Sequence, residues 1–198
     1  MIIKPIKINE CIVMPSSRSA TQKRLFARYL EDIPAGELSW IGLRPERRAE
    51  VVEVSSVQAI AGSGLEGDHR FENTLGSGRQ VTLISEEYIN QVEHFLSLSR
   101  SAGKAFQAVS ISPKVLRRNL VIKGMNLEAL MYQQFSIGGA IFEAGALCNP
   151  CLAMERNLGK GGIAAMMGHG GLCLKVVQSG KITVGDAVCL HHPQASLF

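Results

Sequence analysis

The sequence predicts a mainly β (α+β) protein, built as an antiparallel or mixed β-barrel with peripheral short helices. Three observations carry this prediction. The strand-like apolar segments are short and outnumber the helical ones, turn residues separate them, and they do not alternate with long helices as a doubly wound sheet requires. The 20 glycines in 198 residues agree with many tight turns.

Segments rich in β-branched and other apolar residues predict the strands of the barrel. The glycine-rich run 62–70 is expected to form an ordered loop instead, because three glycines are followed by polar and charged positions. The predicted strands are a candidate around Cys11 to Met14, then 38–43, one within 49–60, 80–84, 119–123 and 134–146 with a break at Gly138-Gly139, and finally a hairpin of 172–177 and 182–190 around the turn 178–181.

Helical spacing of apolar residues and capping signals predict a small number of helices. Ser85 precedes two glutamates and an apolar face, so it is expected to cap the helix that follows. A flexible loop is expected at 159–162. The predicted helices are residues 19–32, a segment from 86 to about 96, a short one from Pro113 through Arg117, and a helical turn over 151–158.

Composition and charge argue against several classes of function. The net charge is +4 with dispersed basic residues, and aromatics make up 6% of the chain, so no nucleic-acid partner is expected. No run of about 18 apolar residues suggests a membrane span. The start of the chain lacks the signal-peptide pattern, and the five cysteines are odd in number and unevenly spread, which predicts a cytoplasmic protein with reduced thiols. Without a linker or repeat, one domain over 1–198 is the simplest organisation.

The motif Cys148-Asn-Pro-Cys151 is the strongest candidate for chemistry. Two thiols at this spacing can bind one metal, form a disulfide, or simply be buried as small apolar groups. A zinc site would need the fold to add Cys173, Cys189 or the pair His191-His192. Cys151 differs from Cys148 because a helix is expected to begin just after it, and a helix N-terminus stabilises a thiolate.

Two further motifs contain groups that could bind an anion. In Gly64-Leu-Glu-Gly-Asp68-His69-Arg70, the carboxylate can accept from ligand hydroxyls or amines, and His69 with Arg70 can meet a negative charge; the alternative is a capped turn. In Arg117-Arg118-Asn119, an arginine can grip phosphate bidentately, and the alternative is a surface helix end.

A loop histidine, His169 in Gly168-His-Gly-Gly171, is a weaker candidate ligand, since such a residue is more often simply solvated.

Several segments occur along the chain in a recognisable order. They are Trp40-Ile-Gly-Leu-Arg-Pro, Gly64-Leu-Glu-Gly-Asp68, Arg79-Gln-Val-Thr-Leu-Ile84, Leu116-Arg-Arg-Asn-Leu120 with Gly124, Ile137-Gly, Pro150-Cys151, Gly170-Gly171 and Gly180-Lys-Ile-Thr-Val-Gly-Asp186. No single segment is specific, but the ordered set resembles the MOSC domain, which is named for the C-terminal part of molybdenum-cofactor sulfurases. The resemblance covers about residues 40–190, and residues 1–39 match less clearly.

The resemblance implies a mainly β-barrel fold and a molybdenum cofactor. Cys151, after the proline, would be the functional thiol that ligates the metal or carries sulfur as a persulfide. Basic residues would meet the pterin phosphate, and pyridoxal phosphate would belong to multidomain relatives rather than to this chain. The cofactor-binding candidates are Asp68, His69, Arg70, Arg79, Arg118 and Asn119.

Three functions stay open from the sequence. The first is reduction of N-hydroxylated small molecules with electrons from a donor protein. The second is transfer of sulfur, received from a sulfur-donor protein, to a metal–sulfur centre, with Cys148 resolving a persulfide on Cys151. The third is a non-enzymatic ligand-binding or zinc-stabilised module. Two departures from the family pattern bear on the choice: Cys148 is an additional thiol, and His169 stands where an arginine is expected.

Overall fold

The structure is a computed structural model that describes residues 29–30, 32–71, 73, 75–101 and 108–191. The strand predicted around Cys11 to Met14 lies outside these residues, as does all of the predicted helix 19–32 except positions 29, 30 and 32. In the described part of the chain, no helix is both long and apolar enough to cross a bilayer.

Seven strands close into a mixed β-barrel, which confirms the predicted fold class. Around the barrel the order is β1-β6-β5-β9-β8-β7-β11, and β11 pairs back onto β1. A smaller sheet of order β10-β3-β4 lies beside it, and β2 extends β1. The strands are β1 Gly36–Leu43, β2 Val52–Val54, β3 Ser56–Ile60, β4 Gly64–Leu65, β5 Val81–Ser85, β6 Leu120–Lys123, β7 Gln134–Ile137, β8 Ala140–Leu147, β9 Leu172–Gln178, β10 Gly180–Thr183 and β11 Ala187–Leu190.

Strands β5 and β6 run parallel, whereas the other described pairs of barrel strands run antiparallel. A parallel pair needs a crossover connection, and the longest helix supplies it here. Alternate side chains of the strands fill the barrel, so that Phe135 and Phe142 are fully buried with ring centroids 6.0 Å apart. A second apolar cluster between the barrel and the helices includes Trp40, Val92 and Met166.

The helices lie outside the barrel, as predicted. Ser85 caps the longest one by accepting a hydrogen bond from the backbone N–H of Tyr88 at 3.2 Å, although this helix runs on to Arg100, beyond its predicted end. The expected loop at 159–162 is wrong in part, because Gly162 begins a short helix. The helices are α1 Glu86–Arg100, α2 Pro113–Leu116, α3 Leu152–Leu158 and α4 Gly162–Met166, with a 3₁₀-helix at Leu127–Leu130.

The predicted hairpin over 172–190 is wrong. Strand β9 pairs with β5 and β8, β10 pairs with β3, and β11 pairs with β7 and β1. The segment 182–190 is also broken, because Asp186 accepts a hydrogen bond from the N–H of Thr183 at 2.7 Å and Gly185 adopts a left-handed φ of 96°. The segment 172–190 therefore forms three strands with different partners, although its turn residues alone suggest one hairpin.

The expectation that 62–70 forms only a loop also needs correction. Gly64 and Leu65 make a two-residue strand that pairs with Ile60 and Ala59 of β3. The remaining residues form turns that bring Asp68 under the end of β1, where the first elements of the site begin.

Candidate functional site

Five arginines and three cysteines line one cleft of about 290 Å³ at the side of the barrel. None of the described residues that line it is acidic, so the cleft is strongly electropositive. Two other depressions, of about 620 and 330 Å³, have neither cysteine nor arginine among their described lining residues. The cleft residues are Arg44, Arg70, Arg79, Thr82, Arg117, Arg118, Leu147, Cys148, Asn149, Cys151, Ala153, Met154 and Cys173.

Arg44, just after β1, is fixed by a buried ion pair with Asp68. The two residues are each 5% exposed, and the Asp68 carboxylate accepts from the backbone N–H of Arg44 at 3.0 Å and from Nε and Nη2 at 2.9 and 3.1 Å. Burial opposes ionisation of the carboxyl, but the hydrogen bonds and charge of Arg44, with the N–H of Arg70, outweigh it and lower the pKa of Asp68. The pair stays charged at neutral pH.

Asn119 joins this ion pair to the barrel. Its Oδ1 accepts from Arg44 Nη2 at 2.7 Å and from Thr82 Oγ1 at 2.9 Å, while its Nδ2 donates to Asp68 at 2.8 Å and to the carbonyl of Gly42 at 3.1 Å. The side chain is 1% exposed. Neither Asp68 nor Asn119 lines the cleft, so their arrangement suits them to orient Arg44, and direct contact with a cofactor stays a prediction.

Arg118 lies in the wall of the cleft with one donor group open. Only 6% of the residue is exposed. Its Nε donates to the carbonyl of Gly170 at 2.9 Å and its Nη1 to that of Leu116 at 3.0 Å, yet its buried Nη2 has no partner. Unsatisfied buried donors are rare and costly, so this N–H group is a candidate donor to an anion.

The other arginines complete the positive surface. Arg70 donates from Nη1 to the carbonyl of Arg79 at 2.9 Å, and both side chains reach the cleft. Arg117 adopts a left-handed φ of 54° at the end of α2 and donates to the carbonyl of Ala49 at 2.6 Å. Burial and then the charge of Arg44 lower the pKa of Arg117, as repulsion between these two neighbouring cations would. A bound anion would relieve this repulsion.

Three free thiols lie in the cleft. Cys151 is exposed and is the N-cap residue of α3, which confirms the prediction that a helix begins just after it. Cys148 is half-buried and Cys173 is buried. A hydrogen bond from the Cys173 thiol, with Arg118, Arg70 and Arg44 nearby, outweighs burial and lowers the pKa of Cys148 to about 6.

Two glycines keep Cys148 in place. The N–H of Cys148 donates to the carbonyl of Gly171 at 2.7 Å, which extends the β8–β9 ladder by one bond. A Cβ on Gly170 would overlap the carbonyl oxygen of Cys148, and one on Gly171 would overlap that of Leu83. Since Gly171 also has a left-handed φ of 87°, this close approach of backbones accounts for glycine at both positions.

The two histidines of the predicted motifs are placed differently from the arginines. Neither histidine is among the residues lining the cleft. His69 lies within 3.5 Å of Asp68 and 3.3 Å of the carbonyl of Arg44, behind the cleft wall. His169 packs its ring edge-on against Tyr88 and Phe95, with centroids 5.1 and 5.5 Å away.

The structure brings together four of the predicted site residues: Arg70, Arg79, Arg118 and Cys151 line one cleft. Arg117, from the predicted anion-binding motif 117–119, lines it as well. Arg44 was not predicted for the site, and Cys173 was considered only as a possible zinc ligand. The sequence indicated Arg44 only by its place in a short segment before a proline. No neighbouring residues indicated that Cys173 would line the cleft, because it lies on a different strand, β9. Cys148, which the sequence analysis noted as an additional thiol beside Cys151, also lines the cleft.

The described residues do not supply a structural zinc centre. Among them no group of three or more histidine, cysteine, aspartate or glutamate side chains could hold a metal ion. Cys173 lies in the cleft wall, but Cys189 is on β11 and is not among the cleft residues. His192 lies outside the described residues.

Fold and site together define a class of protein: a closed mixed barrel with a thiol-bearing, arginine-lined cleft. The family model of the MOSC domain matches residues 70–189, which is more than half of the chain, and the protein belongs to this family.

Solved structures with the same fold extend the comparison. The YuaD protein from Bacillus subtilis aligns with a TM-score of 0.65 at 17% identity over 82% of this chain and 99% of its own. YiiM from Geobacillus stearothermophilus aligns with a TM-score of 0.59 at 13% identity over 81% and 77% of the two chains. YiiM from Escherichia coli gives 0.55 at 16% identity over 79% and 70%. Comparison with curated proteins finds no significant match.

Proposed function

We propose that the cleft binds a molybdenum cofactor and that the protein is a reductase of N-hydroxylated small molecules, supplied with electrons by a donor protein. The single observation that carries the proposal is Arg118, whose buried Nη2 is unpartnered in a cleft lined by four further arginines and by Cys151. A phosphate provides the acceptor oxygens that such a donor lacks, and a thiolate is a ligand that soft metals prefer.

The donors present fit the two ends of such a cofactor. Arg118, Arg70 and Arg79 would hold its phosphate, since arginine presents a rigid fork of N–H donors that matches phosphate oxygens. Cys151 would ligate the metal, because it is the exposed thiol of the cleft. When bound, the molybdenum would supply two-electron redox chemistry at that end of the cleft.

The size of the cleft suits partial enclosure. At about 290 Å³ it lies near the lower end of small-ligand pockets, roughly 300–1,000 Å³. Part of the ligand would therefore stay open to solvent, where a small substrate and a donor protein can approach. Arg44 would keep the positive wall rigid, because its guanidinium stays bonded to Asp68 and Asn119 when a ligand binds.

A metal and pterin analysis tests the proposal. The protein is produced in a host that makes the cofactor, and molybdenum, phosphorus and pterin fluorescence are measured per chain. We expect near-stoichiometric amounts of all three in the wild type. The control variant Cys189→Ser should match it, because Cys189 is on β11 and outside the cleft lining. Cys151→Ser should lose most of the molybdenum. Absence of molybdenum and pterin from the wild type, or equal molybdenum in both variants, would contradict the proposal.

A second candidate is a sulfur carrier with a persulfide on Cys151. The observation that favours it is the presence of Cys148 in the same cleft, where it could attack the inner sulfur and release the outer one. Incubation with a persulfide donor should then add the mass of one sulfur atom to Cys148→Ser, which cannot release it, but not to Cys151→Ser. The wild type should release the sulfur as hydrosulfide and keep a Cys148–Cys151 disulfide. An unchanged mass in Cys148→Ser would exclude this candidate.

A further inference from the structure

Cys148 and Cys173 form a thiol pair that the proposed reductase does not use. Cys173 of β9 pairs with Ala146 of β8, and the N–H of Cys148 continues the ladder by donating to Gly171. Positions 146 and 148 share a face of the strand, so Cys148 and Cys173 are diagonal neighbours on the same face. Each thiol shifts the pKa of the other, which agrees with this placement on one face.

The two thiols differ in their surroundings. Cys173 is 4% exposed, and its sulfur lies 4.0 Å from the carbonyl oxygen of Leu147. The hydrogen bond to Cys148 and burial both raise the pKa of Cys173, so this thiol keeps its proton. The pKa of Cys148 is lowered to about 6 by that same hydrogen bond and by Arg118, Arg70 and Arg44, against burial. One member of the pair is thus a thiolate at neutral pH and the other is its donor.

We infer that Cys148 and Cys173 are a reversible dithiol–disulfide couple that reacts with small anionic disulfides bound in the arginine cleft. Cys148 provides the attacking sulfur and Cys173 the resolving one. The arginines select an anionic reaction partner, and the unpartnered Nη2 of buried Arg118 offers it a hydrogen bond.

The reaction balances in two exchanges. The Cys148 thiolate attacks one sulfur of the disulfide R–S–S–R, its S–S bond breaks, and R–S⁻ leaves and takes up a proton from water. Cys173 then gives its proton to water, and its sulfur attacks the Cys148 sulfur and displaces the second R–S⁻, which is protonated in turn. Two protein thiols are oxidised by two electrons, and one disulfide is reduced to two R–SH.

The second bond requires a small movement of the backbone. Diagonal neighbours on paired strands lie about 7–8 Å apart between Cα atoms, whereas a disulfide joins Cα atoms about 4.4–6.8 Å apart. The end of the β8–β9 ladder, where the N–H of Cys148 donates to Gly171, must therefore shift by about 1 Å.

Glutathione disulfide, which is anionic, and cystamine, which is cationic, are dialkyl disulfides of opposite charge for the test. The full-length protein is treated with each, and the products are mapped by peptide mass spectrometry. We expect glutathione disulfide to oxidise the protein at least about tenfold faster than cystamine, with a rate that falls as salt is added. The product should be a Cys148–Cys173 disulfide with two equivalents of glutathione released.

Variants assign the roles of the cysteines. Cys148→Ser should abolish the fast reaction, whereas Cys173→Ser should stop it at a glutathione adduct on Cys148. If Cys173→Ser fails to fold, the disulfide mapped in the wild type decides the question. A first adduct on Cys151, a Cys148–Cys151 disulfide, or equal rates with both reagents would overturn the inference.

These results are separable from the proposed function. Molybdenum content and the Cys148–Cys173 disulfide are measured on the same wild-type preparation, because the cofactor and the anionic disulfide would share the Arg118 donor. Molybdenum without the disulfide leaves the cofactor proposal standing, and the disulfide without molybdenum leaves this inference standing.

Discussion

Two buried arginines beside the same cleft have opposite surroundings. Arg44 is 5% exposed, and every contact of its guanidinium is met by Asp68, Asn119 or the carbonyl of Arg117. Arg118 is 6% exposed, meets two carbonyl oxygens and no carboxylate, and keeps one nitrogen open. Burial alone therefore does not distinguish the two arginines. The paired Arg44 supports the wall, whereas the unpaired donor of Arg118 is the one that we propose as an anion-binding group.

Removing the partner of Arg44 should give the largest effect. Asp68→Ala leaves a buried guanidinium without its carboxylate, which typically costs about 3–5 kcal/mol. Urea denaturation of the variant measures this cost. The control is Glu37→Ala, which breaks the exposed pair with Lys123 at 3.0 Å and should cost less than about 1 kcal/mol. Equal losses in both variants would mean that the buried pair does not hold the wall.

A crowded glycine next to Arg118 should give the next largest effect. Gly170→Ala would push a methyl group into the carbonyl of Cys148 and shift the acceptor of Arg118 Nε. Overpacking of this kind costs about 1–3 kcal/mol, and the cleft should also lose affinity for inorganic phosphate. Gly78→Ala meets open space and serves as the control. Unchanged stability and phosphate binding in Gly170→Ala would show that this close approach does not shape the cleft.

Acid should weaken the buried ion pair between Arg44 and Asp68. Folding lowers the pKa of Asp68 below its usual value of 3.8. The ionised carboxylate therefore stabilises the fold fully above pH 3.8, and this stabilisation is lost as the pH falls through the lower pKa of the folded state. The wild type should therefore lose stability below about pH 4. Asp68→Ala should lose less over the same range in denaturation experiments at several pH values. Parallel curves for the two proteins would show that another group governs the acid response.

Replacement of Arg118 should lower the free energy of unfolding less than replacement of Asp68. Arg118→Met removes two hydrogen bonds to backbone carbonyls but also an unpaired buried donor, so the net loss of stability should stay below that of Asp68→Ala. Denaturation of the two variants under one set of conditions compares them directly. A larger loss in Arg118→Met would indicate that this arginine is mainly structural.

The sequence predicted local features of the fold well and long-range ones poorly. The Ser85 cap and the helix start after Cys151 depend on neighbouring residues, and both are confirmed. The hairpin predicted over 172–190 failed because the partners of these strands come from distant parts of the chain, such as β5 at 81–85 and β3 at 56–60. Turn residues indicate where a strand ends but not which strand it meets.

The same division applies to the site. Arg70, Arg79, Arg118 and Cys151 were predicted from their motifs, and they meet in one cleft. Cys173 could not be found, since its nearness to Cys148 follows from the register of β8 on β9 and not from sequence spacing. The ion pair of Asp68 could not be predicted either, because its partner Arg44 is 24 residues away in the chain.

The most direct test of the role of Arg118 is the amount of pterin and phosphorus that remains bound after purification from a cofactor-producing host. We expect Arg118→Met, once circular dichroism has shown that it is folded, to retain little of either, because a charge-assisted hydrogen bond contributes about 1.5–3 kcal/mol, or roughly 10- to 100-fold in affinity. Arg47→Met, at an exposed position outside the cleft lining, should retain wild-type amounts. Full retention by Arg118→Met would contradict the account.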